Sequence, residues 1–116
     1  MVFNLGLQAS ATGLAGEIDG GIRQHGIVRH PSGATVYANQ VDGFGNVFFG
    51  DDANIPSLLS LPYLGYVGAG DPVYKATRAY ILSPDTNPHF YGPGITGLAG
   101  IGSEDIGGDV GWGHVR

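Results

Sequence analysis

"YANQVDGFGNVFFGDDANIPSLLSLPYLGY", residues 37–66, is the stretch on which the reading of this chain turns. It sets Asp51, Asp52 and Asn54 directly in front of an uncharged, leucine-rich run, in a chain whose charged content is only 13%. Two readings of that cluster stand side by side. In one, Asp52 or Asn54 caps a short helical turn expected over Pro56–Leu61, and the carboxylates favour its positive end. In the other, the acids and the amide present donors and acceptors at the edge of an aromatic surface. Such a combination suits sugar hydroxyls, with the rings as a stacking face. A calcium loop is a poor fit, because the alternating ligands and the distant Glu of an EF-hand are missing. "DGFGN" is read instead as a tight turn.

On the N-terminal side, Ile27–His30, Thr35–Ala38 and Val47–Phe49 are short β-like runs separated by "HPSG" and "DGFGN". They predict a small antiparallel meander with one aromatic face from Tyr37, Phe44, Phe48 and Phe49. Before it, Leu14, Ile18 and Ile22 recur every four residues beside Ala11 and Ala15, which predicts a helix from about Leu7 to Gln24. Gly13, Gly16, Gly20 and Gly21 each weaken that helix by roughly 0.5–1 kcal/mol relative to Ala, so its stripe needs a partner surface.

On the C-terminal side, "GDPVYKATRAYILSPD" carries a complete helix signature. Asp71 is the cap and Pro72 suits the first turn. Val73, Ala76, Thr77, Tyr80 and Ile81 form the stripe, and Pro84 stops the helix at Ser83. Beyond Pro84 regularity fades into a glycine-rich tail. Two helices and one small β element do not enclose a core; the stripes call for further helices.

Bulk properties narrow the function. At 116 residues and 42% hydrophobic content, the chain is a single globular domain or part of one. A net charge of −5, with five Lys and Arg scattered singly, argues against nucleic-acid binding. Without cysteine there is no disulfide, Cys-ligated zinc or thiol nucleophile. "MVFNLGLQAS" lacks the basic region of a signal peptide, and Ala53–Gly70 is too rich in Pro, Gly and Ser for a membrane helix. A cytoplasmic location with no membrane partner is the expectation. His25, His30, His89 and His114 show no metal-ligand spacing and are read as turn and surface histidines. Gly97, Gly100 and Gly102 lack the preceding strand and following helix of a dinucleotide site, and Ser103 lacks the glycines of a nucleophile elbow. Neither a metal nor a cofactor is expected.

The stretch 37–66 also resembles the central signature of glycoside hydrolase family 125, the metal-independent exo-α-1,6-mannosidases. The resemblance lies in the Val-Asp-Gly-Phe-Gly-Asn run, the Asp-Asp-Ala-Asn, the Pro-Ser-Leu-Leu-Ser segment and the Leu-Pro-Tyr-Leu-Gly that follows. "IDGGIRQHGIVRHPSGATVYA" and "DPVYKATRAYILSPDTNPHFYGPG" are similar to the family's flanking segments, giving coverage from about Ala9 to about Gly102. Gly50 departs from the large apolar residue usual in the family. Glu104 and Asp105 replace an expected Pro-His, and residues 103–116 form an unmatched tail.

What the resemblance implies is a mainly α chain, part of an (α/α)6 barrel with a small β-hairpin or meander insertion, constituting one partial domain over 1–116. It implies removal of terminal α-1,6-linked mannose with inversion and no metal. It places the general acid in an Asp-Asp motif well upstream and the general base in a glutamate after a Met-His near the C-terminus. Neither context is present, so no residue here is assigned as catalytic. Asp51, Asp52 and Asn54 are the expected substrate-binding or supporting residues, and an α-mannoside is the expected partner. An inverting pair must stand roughly 6.5–9.5 Å apart around a water, which adjacent acids do not achieve. The chain alone is therefore expected to be inactive, and its unpaired apolar stripes to promote self-association. Two other readings remain: a non-catalytic mannose-binding module, and a glycine-rich structural or interaction piece.

Overall fold

The computed structural model describes residues 4–93 and 97–103. Helix α2, Pro72–Ile81, starts as the sequence predicts and ends two residues before the expected stop at Ser83: the Asp71 carboxylate accepts the Tyr74 amide at 2.8 Å and Pro72 opens the first turn. Its inner face is Tyr74, Thr77, Tyr80 and Ile81, all buried. Tyr74 is an addition to the expected stripe. Its phenol leaves the apolar face to donate to the Leu59 carbonyl at 3.1 Å.

The strands pair as separate two-stranded ribbons rather than as one meander. Strands β1 (Ile27–Arg29) and β2 (Thr35–Tyr37) form an antiparallel hairpin in which Val28 faces Val36. Strands β3 (Gln40–Val41) and β4 (Val47–Phe48) form a second. The local turn accounts for this. Asp42 accepts the amides of Phe44 at 2.8 Å and Asn46 at 3.1 Å, folding Val47 back onto Val41. The expected common aromatic face also dissolves. Tyr37 is buried, Phe44 stands 92% exposed at the turn, Phe48 is 40% exposed and Phe49 packs against the core. A third ribbon, β5 (Phe90–Tyr91) with β6 (Gly100–Ile101), lies where the sequence showed no regularity.

The core sits where β2 crosses α2. Val36, Tyr80 and Ile81 are its centre, and Val28, Phe49, Leu58, Leu59 and Ile101 pack around them. Hydrogen bonds fasten the crossing: Thr77 Oγ1 accepts the Tyr37 amide at 2.8 Å, and the Tyr80 hydroxyl donates to the Tyr37 carbonyl at 2.9 Å. Buried His30 stacks on Tyr80 at 5.1 Å and meets Phe49 edge-on at 4.8 Å. Its Nδ1 accepts the Ser32 amide at 3.1 Å, so this histidine is a satisfied core residue rather than a surface one.

Helix α1, Leu5–Gly21, starts slightly before the expected Leu7, because Asn4 caps it by accepting the Leu7 amide at 2.9 Å. It runs into a π-helical turn over Ile22–Gly26. No residue of α1 is buried: Leu14 is 58% exposed and Ile18 54%. A bridge from the Tyr66 hydroxyl to Asp19 at 2.8 Å, with Arg23 on the same carboxylate, ties its end to the body. Below it lies an apolar concavity of about 700 Å3, lined in part by Ile18, Ile22, Tyr37, Leu58, Leu61 and Leu64. Among the described residues, no helix is long and apolar enough to cross a membrane.

Candidate functional site

The acidic stretch follows β4 in the chain, and its two carboxylates differ in burial. Asp51 turns inward and is 1% exposed. One of its oxygens accepts the Leu58 amide at 3.0 Å and the other the Leu59 amide at 3.1 Å; Asn39 Nδ2 adds a longer contact at 3.4 Å. Asp51 is thus the residue that caps the leucine segment, in place of Asp52 or Asn54. The segment answers with overlapping turns from Ser57 to Tyr66 instead of a helical turn over Pro56–Leu61. Ser57 and Ser60 reinforce the first of these through their own hydroxyls. Burial pushes the Asp51 carboxyl above its ordinary value, while the Leu58 and Leu59 amides pull the other way and the neighbouring Asp52 charge adds to the rise.

Asp52 and Asn54 turn toward the outside. Asp52 Oδ1 accepts the Asn54 amide at 2.6 Å, an Asx turn that fixes the loop. Asn54 Nδ2 donates to Ser103 Oγ at 2.8 Å, which in turn lies 3.4 Å from Asp52 Oδ2. The link reaches across 49 residues to the end of the third ribbon, held nearby by the Ala53 amide on the Gly102 carbonyl at 2.8 Å.

Asn87 organises the underside. It is 1% exposed and makes four hydrogen bonds: its Oδ1 accepts from the Asp51 and His89 amides, and its Nδ2 donates to the Asp51 and Ile81 carbonyls, all within 3.0–3.2 Å. One side chain so joins the acidic stretch, the end of α2 and the start of the third ribbon.

These elements enclose a pocket of about 220 Å3. Its lining combines Asp51, Asp52 and Asn54 with Asn39 and Gln40, the rings of Phe48 and His89, and Ile55 and Pro56. The structure brings together all three residues singled out in the sequence. Sequence reasoning missed Asn39, Gln40 and His89, which come from separate ribbons and carry no local signal. Among the described residues there is no group of three His, Asp or Glu side chains placed to hold a metal ion; His114, Glu104 and Asp105 lie outside them.

The sequence profile of a family described as metal-independent alpha-mannosidase (GH125) matches residues 2–114. The chain belongs to this family. That match extends on both sides of the resembling stretch from about Ala9 to about Gly102. The meiotically up-regulated gene 157 protein of Schizosaccharomyces pombe is 54% identical over 93 residues, covering 80% of this chain and 18% of that protein. A solved α-mannosidase structure from Streptococcus pneumoniae, described as a non-productive substrate complex with α-1,6-mannobiose, superposes with a TM-score of 0.80. It shares 42% identity and covers 90% of this chain and 24% of its own. The chain therefore spans about a fifth to a quarter of these relatives, and its two helices and small antiparallel ribbons are part of the fold of metal-independent α-mannosidases.

Proposed function

We propose that this chain supplies one wall of the mannose-binding cleft of a glycosidase that removes terminal α-1,6-linked mannose with inversion and without a metal, within an (α/α)6 barrel of which it is part. The observation that carries the reading is the pocket that Asp52, Asn54, Asn39 and Gln40 line together with the rings of Phe48 and His89. Polar side chains offer directed acceptors and donors for hydroxyls, and rings offer an apolar face. The relative complexed with α-1,6-mannobiose supports the same substrate class.

Asp51 and Asp52 act in binding and support rather than as acid and base. Asp51 spends both oxygens on the Leu58 and Leu59 amides. Asp52, its immediate neighbour, is held in an Asx turn. Inverting hydrolysis needs two carboxyl groups of unlike acidity on opposite sides of the bond, roughly 6.5–9.5 Å apart. Purified 116-residue protein incubated with α-1,6-mannobiose is accordingly expected to release no mannose; turnover above the buffer blank would overturn that assignment.

Binding is the separate test. Titration of α-1,6-mannobiose followed by NMR should shift the amides of the pocket. Asp52→Ala should weaken the interaction on the order of tenfold, since a charge-assisted hydrogen bond contributes about 1.5–3 kcal/mol. Unchanged affinity in that variant would remove Asp52 from the site. Saturable binding without turnover is also what a non-catalytic mannose-binding module would give.

A further inference from the structure

Gly50 is buried, yet its backbone is not in the left-handed region that calls for glycine. Its reason for lacking a side chain is space. A Cβ at this position would stand 2.9 Å from Cε1 of Phe48, closer than such atoms approach, and a tight 3.1 Å from its Cζ. The colliding atoms are the far end of the Phe48 ring, so the ring, and not the main chain, would have to yield. The main chain at Phe48 is fixed by its pairing with Gln40 and by the Asn39 amide on its carbonyl at 3.2 Å. Position 50 therefore governs where that ring lies. With glycine there, the ring rests over the bare backbone, 40% exposed and 6.3 Å from the His89 ring at a 59° tilt, lining the same pocket as Asp52 and Asn54.

We infer that Phe48 is the platform that receives the apolar C–H face of a mannopyranose ring, and that Gly50 is the positioning residue that lets it lie there. The inference rests on the mannoside reading of the pocket. A pyranose presents hydroxyls at its edge and C–H groups on its face; Asp52 and Asn54 suit the edge and the Phe48 ring suits the face. Gly50 acts only through Phe48, so the two substitutions share one effect and do not add.

Three NMR measurements test this. In the unaltered protein, cross-relaxation between the Phe48 ring protons and the Gly50 Hα protons is expected; its absence would overturn the placement. Phe48→Ala should weaken α-1,6-mannobiose binding on the order of tenfold, and Phe48→Tyr, which keeps a platform, should retain affinity. Gly50→Ala should abolish the ring contact and weaken binding several-fold, and the Gly50→Ala, Phe48→Ala double variant should bind no worse than Phe48→Ala alone. Additive losses, or full affinity in Gly50→Ala, would overturn the inference while leaving the mannoside reading intact. A ring contact present in a protein that binds no mannobiose would overturn the mannoside reading, and the platform role with it.

Discussion

Replacing Asn87 by alanine is expected to lower the stability of this protein by about 4 kcal/mol, a large share of the 5–15 kcal/mol typical of a small domain. The residue is fully buried and makes four hydrogen bonds; truncation strands the amides of Asp51 and His89 and the carbonyls of Asp51 and Ile81. Each orphaned buried group costs about 1–3 kcal/mol, partly relieved where water enters. Asn87→Asp should be at least as damaging. It keeps the acceptor but loses both donated bonds, and it sets a second carboxylate beside buried Asp51. Urea unfolding followed by tyrosine fluorescence measures both variants. A midpoint within error of the unaltered protein would show that the acidic stretch is not held from below by Asn87.

Asp51→Ala is expected to cost about 2–4 kcal/mol, because the Leu58 and Leu59 amides lose their acceptors inside the fold. Asp51→Asn is a sharper probe: it keeps one acceptor but turns an NH2 toward the other amide, donor against donor, for a loss of about 1–3 kcal/mol. The pH dependence follows from the raised folded-state value of Asp51. A carboxyl whose value is higher in the fold than in the unfolded chain favours folding when protonated. Its contribution is fully present below the ordinary value of 3.8 and is lost as pH rises through the folded value. Asp19, held below its ordinary value chiefly by its hydrogen bond with Arg23, and Asp42, chiefly by Asn46, run in the opposite sense. Both are untouched by the substitution, so the difference between the unaltered protein and Asp51→Asn isolates Asp51. That difference should shrink as pH rises from about 4 to 7; a constant difference would show that Asp51 titrates alike in the folded and unfolded chains.

How far the sequence reveals this architecture depends on the range of each interaction. Helix α2 was legible because its cap, its first-turn proline and its stripe all lie within 71–81. The turn at "DGFGN" was legible for the same reason, since Asp42 reaches only residues two and four ahead. The pairing of the ribbons was not. Runs of two or three residues carry too little alternation to name a partner, and Gln40–Val41 and Gly100–Ile101 carry no strand signal. Composition drew attention to Asp51, Asp52 and Asn54 and the family resemblance gave them a substrate, but adjacent carboxylates look alike in a sequence. Only the inward turn of Asp51, held by Asn87 from 36 residues away, separates the buried capping carboxylate from the more exposed Asp52 beside it. Asn39 and His89 stayed hidden because neither belongs to the signature's acidic core and only the tertiary pairing brings them to it.

Helix α1 gives this protein two grades of order. The crossing of β2 and α2 is held by a common buried centre and opens only with the whole; the N-terminal helix, with none of its side chains buried, is anchored chiefly at its far end through Asp19 and Tyr66. Its local opening free energy then approaches that of a solvated glycine-bearing peptide, close to zero for such a length. For these 116 residues taken by themselves, unfolding is consequently not a single all-or-none event, and any one free energy measured on them belongs to the crossing, not to the helix that leads into it.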